Sequence, residues 1–315
     1  MRKIGYDVIN DVDDVCAFST PSHSWRIFHT LKKVLLNLGF ELSEKKLVPP
    51  STKVSCLGII FDTTNFTMSI PEDKLQKIRL LCAEWLHKTR VTKKELQSLL
   101  GLLLYVSKCI KAARVFLSRM LETLRKNHAN KFITLDEDFK KDVRWFHEFV
   151  ILFNGVSFFD KRPVKAMIEL DASLTGLGAV WGEQVYVIPI EYYGDLTIVH
   201  LEMLNILVAV RLWGTLWKNH RVIIKCDNQA VVSVLNTGKS SDSILCAIAR
   251  NILFQCAKFD INLRLIHVLG KNNELADTLS RWFQPNIKQE LLYKKIPNPV
   301  WCNPPRTYLD INWCI

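Results

Sequence analysis

No stretch of the chain approaches the ~20 consecutive apolar residues of a membrane-spanning helix, because runs such as LLGLLLYV and IVHLEMLNILVAV meet charge within a few positions. The opening MRKIGYDVINDVDD turns acidic at once and lacks the apolar centre of a secretory leader. The nine cysteines are odd in number and scattered, without a Cys-x-x-Cys pair, so neither a disulfide framework nor a zinc ribbon is indicated. Reduced thiols in an intracellular protein, cytoplasmic or nuclear, are the expectation. Internal repeats and low-complexity tracts are also missing, which leaves an ordinary globular composition.

What is present is apolar material and positive charge. At 315 residues and 49% hydrophobic, the chain is long enough for two domains or three small ones. A net charge of +11 and a pI near 9.2 point to a polyanionic partner. The charge is concentrated: residues 71–125 carry twelve Lys or Arg against five Asp or Glu. Lys93, Lys94, Lys108 and Lys111 are the expected nucleic-acid contacts of this block, with an ordinary solvated helix face as the alternative.

Along the chain, YDVIN and VCAFS read as a β-hairpin with Asp11, Asp13 and Asp14 at its turn. Trp25, Phe28, Leu31, Leu35 and Leu38 recur at helical spacing before Gly39. VSCLGIIFD and FTMSI follow as strands joined at Thr63, Thr64 and Asn65. Pro71 opens a helical region running to about residue 153, within which Thr92 and Glu95 form a capping box. From Val164 the pattern changes to three meandering strands, a helix from Glu202 to Trp217, the strand RVIIKCD, further helices, a strand and a last helix, which is an α/β pattern. The proline-rich segment from Pro297 is expected to be extended.

Four carboxylates punctuate this α/β part: Asp171 in IELDASLTG, Glu202 in VHLEMLNILVAV, Asp227 in VIIKCDNQA and Asp277 in NNELADTLSRW. Singly each has a bland reading. Asp171 can start a turn, Glu202 can sit favourably in a first helical turn, and Asp227 can cap the next helix. Jointly they are acids at the ends of apolar segments, where burial costs several kcal/mol unless a cation joins them. Carboxylates without histidine or cysteine partners select hard ions, so two Mg²⁺ (or Mn²⁺) ions are expected, about 4 Å apart across a phosphodiester.

LDASLTGLGAVWG, HLEMLNILVAVRLW, VIIKCDNQAVVSVLN and IHVLGKNNELADTLSRW resemble, in order, the four motifs of the ribonuclease H domain of retroelement reverse transcriptases, in particular the DIRS-type tyrosine-recombinase elements. The resemblance implies a ribonuclease H-like mixed five-stranded sheet with flanking helices (161–284). An α+β palm remnant (1–70) and a helical thumb or connection (71–160) would precede it, and a proline-rich tail (285–315) would follow. It further implies that Asp171, Glu202, Asp227 and Asp277 are both catalytic residues and metal ligands, and that the substrate is an RNA:DNA hybrid or another nucleic-acid duplex, with association with other retroelement proteins. Cleavage of the RNA strand by two-metal hydrolysis would leave 5′-phosphate and 3′-hydroxyl ends. The alternative is a non-catalytic nucleic-acid-binding relic. The order Asp, Glu, Asp, Asp and the LADTLSR ending argue against an integrase.

Where the family's polymerase has Tyr-x-Asp-Asp, this chain has Asp11-Val12-Asp13-Asp14, and the strand bearing the first palm aspartate is not found before it. Asp13 and Asp14 are therefore read as a degenerate polymerase motif, and polymerisation is not expected. Ser173, Asn228 and Asn273 are expected at phosphates or 2′-hydroxyls, and Thr237–Ser241 has the character of a backbone-gripping loop. His267 lies ten residues before Asp277, as a mobile histidine does in some ribonucleases H, but it falls at a strand end and is read as structural. Trp213, Trp217 and Trp282 are read as core.

Overall fold

The structure is a computed structural model that describes residues 7–11, 14–127, 129–157, 162–191, 194, 196–238, 240–287 and 289–311. The hairpin forms as expected from β1 (Asp7–Asp11) and β2 (Asp14–Phe18), with Asp11 opposite Asp14. Val12 and Asp13, between them, lie outside the described residues. Helix α1 (Ser24–Asn37) ends just before Gly39. VSCLGIIFD, expected as one strand, is two: β3 (Lys53–Cys56) and β4 (Ile59–Asp62) pair antiparallel across Leu57 and Gly58, whose φ values of +51° and +71° reverse the chain. The next turn is held by Asp62 Oδ1, which accepts from the backbone N–H groups of Thr64 and Asn65, and leads into β5 (Thr67–Ser69).

The region expected to be all helix contains a two-stranded ribbon as well. Helix α2 (Glu72–His87) leads into β6 (Arg90–Thr92), then α3 (Lys93–Val106) and α4 (Ala113–Lys126). Strand β7 (Phe132–Thr134) pairs with β6 before α5 (Glu137–Phe149), and β8 (Val156–Ser157) returns to β5. The capping box is formed: Glu95 N donates to Thr92 Oγ1 at 3.2 Å, and Thr92 N donates to Glu95 Oε2 at 2.7 Å.

The second half is built on a mixed sheet. Its elements are β9 (Val164–Ala172), β10 (Gly176–Trp181), β11 (Gln184–Pro189), α6 (Ile198–Trp213), β12 (Arg221–Cys226), α7 (Gln229–Thr237), α8 (Ser243–Lys258), β13 (Asn262–His267) and α9 (Glu274–Ser280). The sheet has six strands, not five, in the order β13-β12-β9-β10-β11-β14. The sixth, β14 (Val300–Trp301), comes from the tail and runs parallel to β11. The tail is thus not simply extended, since α10 (Glu290–Lys295) precedes that strand. Strands β9, β12 and β13 run parallel, while β10 is antiparallel to both β9 and β11.

Strand β10 is covered on both faces, and alternation sorts its side chains. Leu177 and Ala179 join the large core that includes α6, whereas Val180 packs with Leu275 and Leu279 of α9. The large core continues without a break into α2–α5, and Phe149 and Phe153 meet Phe254 of α8 at 5.1 and 6.0 Å between ring centroids. Trp213 and Trp217 are buried within it, as read from the sequence, and Trp282 packs half-buried against the α9 cluster.

Candidate active site

The parallel pair β9 and β12 ends side by side, and two acids mark those ends: Asp171, the next-to-last residue of β9, and Asp227, directly after β12. Glu202 comes from α6. That helix starts four residues earlier than expected, because Thr197 caps it with His200 at the third position, so Glu202 sits in the second turn and is not the helix head. Asp277 is the fourth residue of α9, which lies on β10 and β9.

Asp171 and Glu202 are each only 7% exposed, which decides their chemistry. Burial, with added repulsion from Asp227 and Asp277, pushes the Asp171 carboxyl up to about 6 even though Ser280 and Arg281 favour its charge. Burial, with repulsion from Asp227 and Asp171, pushes Glu202 up to about 7. Asp171 thus feels the charge of Asp227 and Asp277, and Glu202 that of Asp227 and Asp171, which couples the acids electrostatically.

Asp171, Glu202 and Asp277 are each held by neighbours. Ser280 Oγ donates to Asp171 Oδ2 at 2.6 Å. Asn205, fully buried, donates its amide to the backbone oxygens of Asp171 at 2.7 Å and Gly178 at 2.9 Å, which clamps β9 to β10 beside the site. Asn228 Nδ2 donates to Glu202 Oε1 at 3.2 Å, and Cys226 Sγ lies 3.4 Å from Glu202 Oε2. Arg281 Nε donates to Asp277 Oδ1 at 2.8 Å in a half-exposed pair. Burial and the neighbouring Glu202 raise the Cys226 thiol, so it remains a donor to that carboxylate. The ligand atoms of Glu202, Cys226 and Asp227 lie within 4.8 Å of one another.

The other expected contacts are placed as follows. Ser173 is buried, and its hydroxyl is engaged by the Thr175 and Gly176 amides and by the Ser280 backbone oxygen at 2.7 Å. Asn228 caps α7, accepting from the Ala230 and Val231 amides while it holds Glu202. Asn273 is buried and donates to the Leu170 oxygen at 2.9 Å, and among the described residues its own Oδ1 finds no partner. His267 is exposed at the end of β13, with Nε2 3.1 Å from the backbone oxygen of Asp227. Asp14 is exposed at the start of β2. Lys93 and Lys94 open α3 and Lys108 follows it; Lys111 lies 2.7 Å from Asp260, across the seam with the sheet. In the loop after α7, Gly238 rests beside Arg114 and Val115 of α4, and Lys239 lies outside the described residues.

Sequence reasoning did not single out Asn205, Cys226, Ser280 or Arg281. Two of them carried a readable signal: Ser280 and Arg281 stand three and four positions after Asp277, on the same helical face.

No family model and no curated protein matches the chain. Among solved structures, it is similar to a foamy viral protease-reverse transcriptase in complex with RNA/DNA hybrid, at 17% identity over 83% of this chain and 36% of that one, with a TM-score of 0.40. A second foamy viral protease-reverse transcriptase structure, in complex with double-stranded DNA, matches at 17% identity over 83% of this chain and 46% of that one, with a TM-score of 0.40. RNase H1 from the halophilic archaeon Halobacterium salinarum NRC-1 matches at 21% identity over 36% of this chain and 91% of its own length, with a TM-score of 0.29. The chain therefore spans between about a third and a half of the length of these two viral proteins.

Proposed function

We propose that this chain is a ribonuclease H of retroelement type, DIRS-like in its motifs, which hydrolyses the RNA strand of RNA:DNA hybrids with two Mg²⁺ or Mn²⁺ ions. The observation that supports the reading is that the two buried acids, Asp171 and Glu202, are pushed to about 6 and 7, with Asp227 adding to both shifts and Asp277 to that of Asp171. Such a cluster is destabilising alone and is relieved by cations. The donor set fits hard divalent ions, since all four acids present oxygen. The thiol of Cys226 is held protonated beside Glu202 and offers no competing thiolate.

When bound, the ions would neutralise the phosphodiester and activate the attacking water. The residues of the chain do the holding. Asn228 fixes one oxygen of Glu202, Ser280 fixes one oxygen of Asp171, and Asn205 keeps β9 and β10 in register behind them. Because Glu202 holds a proton part of the time near neutral pH without metal, and Asp171 does so below about pH 6, cation binding is expected to release protons there.

The test is incubation of the purified chain with end-labelled RNA:DNA hybrid in Mg²⁺ or Mn²⁺, beside single-stranded RNA and duplex DNA. Cleavage confined to the hybrid RNA, and reduced at least tenfold by Asp227→Asn, is the expected result. Hybrid binding without cleavage in either metal would replace this reading with a non-catalytic nucleic-acid-binding role.

A further inference from the structure

We propose that Ser280 is the positioning residue that fixes Asp171 within the carboxylate cluster, an inference that rests on the ribonuclease H reading above. Ser280 is fully buried, and its Oγ donates to Asp171 Oδ2 at 2.6 Å. The same Oγ lies 2.9 Å from the backbone oxygen of Asp277. One hydroxyl on the last turn of α9 thus joins the acid carried by β9 to the helical turn that carries Asp277. Its single proton serves one acceptor at a time. The carboxylate is the nearer acceptor and the one that makes the bond charge-assisted.

The backbone leaves this hydroxyl little choice of partner. A Cβ at Gly176 would lie 2.9 Å from the Ser280 backbone oxygen, and a Cβ at Gly178 would lie 2.5 Å from the Ser280 nitrogen. Only glycine at these positions lets α9 rest directly on β10. The Ser280 backbone oxygen also accepts from Ser173 Oγ at 2.7 Å, which ties that turn to the β9–β10 connection. With its main chain wedged in this way, a side chain with one rotatable bond reaches only what stands beside it: the Asp171 carboxylate at 2.6 Å and the Asp277 backbone oxygen at 2.9 Å. Asp171 needs such a hold, because Asp227 and Asp277 both repel its charge. Among the described residues its Oδ1 takes no hydrogen bond, so Ser280 holds one oxygen and leaves the other for a cation.

Ser280 touches no substrate in this role, so its signature is metal affinity. The experiment titrates Mn²⁺ into the full chain without nucleic acid, reading free Mn²⁺ by electron paramagnetic resonance. Ser280→Ala is expected to weaken Mn²⁺ binding about tenfold or more, since a hydrogen bond to a charged group is lost, and Ser280→Thr is expected to restore most of the affinity. Affinity for hybrid in metal-free buffer should be unchanged, and kcat of the alanine variant should recover at high Mn²⁺. If Ser280→Ala does not fold, Ser280→Cys keeps the volume, weakens the donor and should show the same loss. Wild-type protein that binds Mn²⁺ beside a folded variant that binds it equally well would overturn the role of Ser280 and leave the nuclease reading standing. Wild-type protein that binds no Mn²⁺ would overturn both.

Discussion

Arg119 grips Asp142 with two hydrogen bonds, Nε to Oδ2 at 2.7 Å and Nη2 to Oδ1 at 2.8 Å, and Arg250 of α8 approaches the same carboxylate to 3.6 Å. Asp142 is almost fully buried, and burial raises its carboxyl even against these two guanidinium groups. The triad closes the seam between α4, α5 and the helix that backs the sheet. Asp142→Asn keeps the shape and removes the charge that both arginines face. Breaking a buried pair in this way costs about 3–5 kcal/mol, so urea denaturation should show the midpoint falling sharply with little change in slope. An unfolding free energy within about 0.5 kcal/mol of wild type would mean that solvent, and not Asp142, balances the arginines.

The carboxylate cluster predicts a pH dependence whose sign can be worked out. Asp171 and Glu202 move from ordinary values of 3.8 and 4.5 to about 6 and about 7 in the folded, metal-free protein. Both therefore bind protons more tightly folded than unfolded. Their contribution favours the fold at low pH and is lost as pH rises from about 4 to about 7, by up to a few kcal/mol in total. If Mg²⁺ binds the ionised cluster, as proposed, the rise in melting temperature on adding Mg²⁺ should be small at pH 5.5 and large at pH 8. An equal rise at both pH values would show that Mg²⁺ is not bound by these acids.

Much of this arrangement was legible because it is local. The hairpin at Asp11–Asp14, the Thr92–Glu95 box and the four acids each sit in a short window with its own periodicity. The rest depends on distant partners or on atypical capping. The alternation of VSCLGIIFD runs unbroken through a turn in which Leu57, an unusual residue for positive φ, takes half of the reversal. The start of α6 was hidden because His200 stands where a capping box normally has Glu or Gln. Strand β14 is two residues long and exists only because β11 offers an edge more than a hundred residues earlier. Lys111 looked like part of a basic face, but its partner Asp260 is 149 residues away.

Gly178 gives a direct test of how α9 is seated. An added Cβ there would stand 2.4 Å from Leu279 Cβ and 2.5 Å from the Leu279 carbonyl carbon, both in buried backbone-proximal positions. Gly178→Ala must push α9 off β10, at a cost of about 1–3 kcal/mol or more. Because α9 carries Asp277 and Ser280, the variant should lose stability and Mn²⁺ affinity together, whereas Gly182→Ala, at a turn with open space around it, should cost only the strain of its positive φ and leave Mn²⁺ affinity intact. Calorimetric melting with a parallel Mn²⁺ titration separates the two. Wild-type Mn²⁺ affinity in Gly178→Ala would show that the seat of α9 does not matter to the cluster.

The basic block is tested with the seam in mind. Lys111 is 2.7 Å from Asp260, and Arg162 approaches the same carboxylate to 3.3 Å, so Lys111→Glu is expected to lower stability before it reports on nucleic acid. Lys94 and Lys108 are exposed and are the residues to reverse. If α3 and its flanks hold the duplex, log affinity for hybrid should fall with log salt by roughly 0.9 per phosphate neutralised. Lys94→Glu with Lys108→Glu should then weaken binding and flatten that slope by about one to two, with the melting temperature unchanged. An unchanged slope would make this face a solvated one and place the hold on substrate in the sheet half of the chain, nearer Asp171 and Asp227.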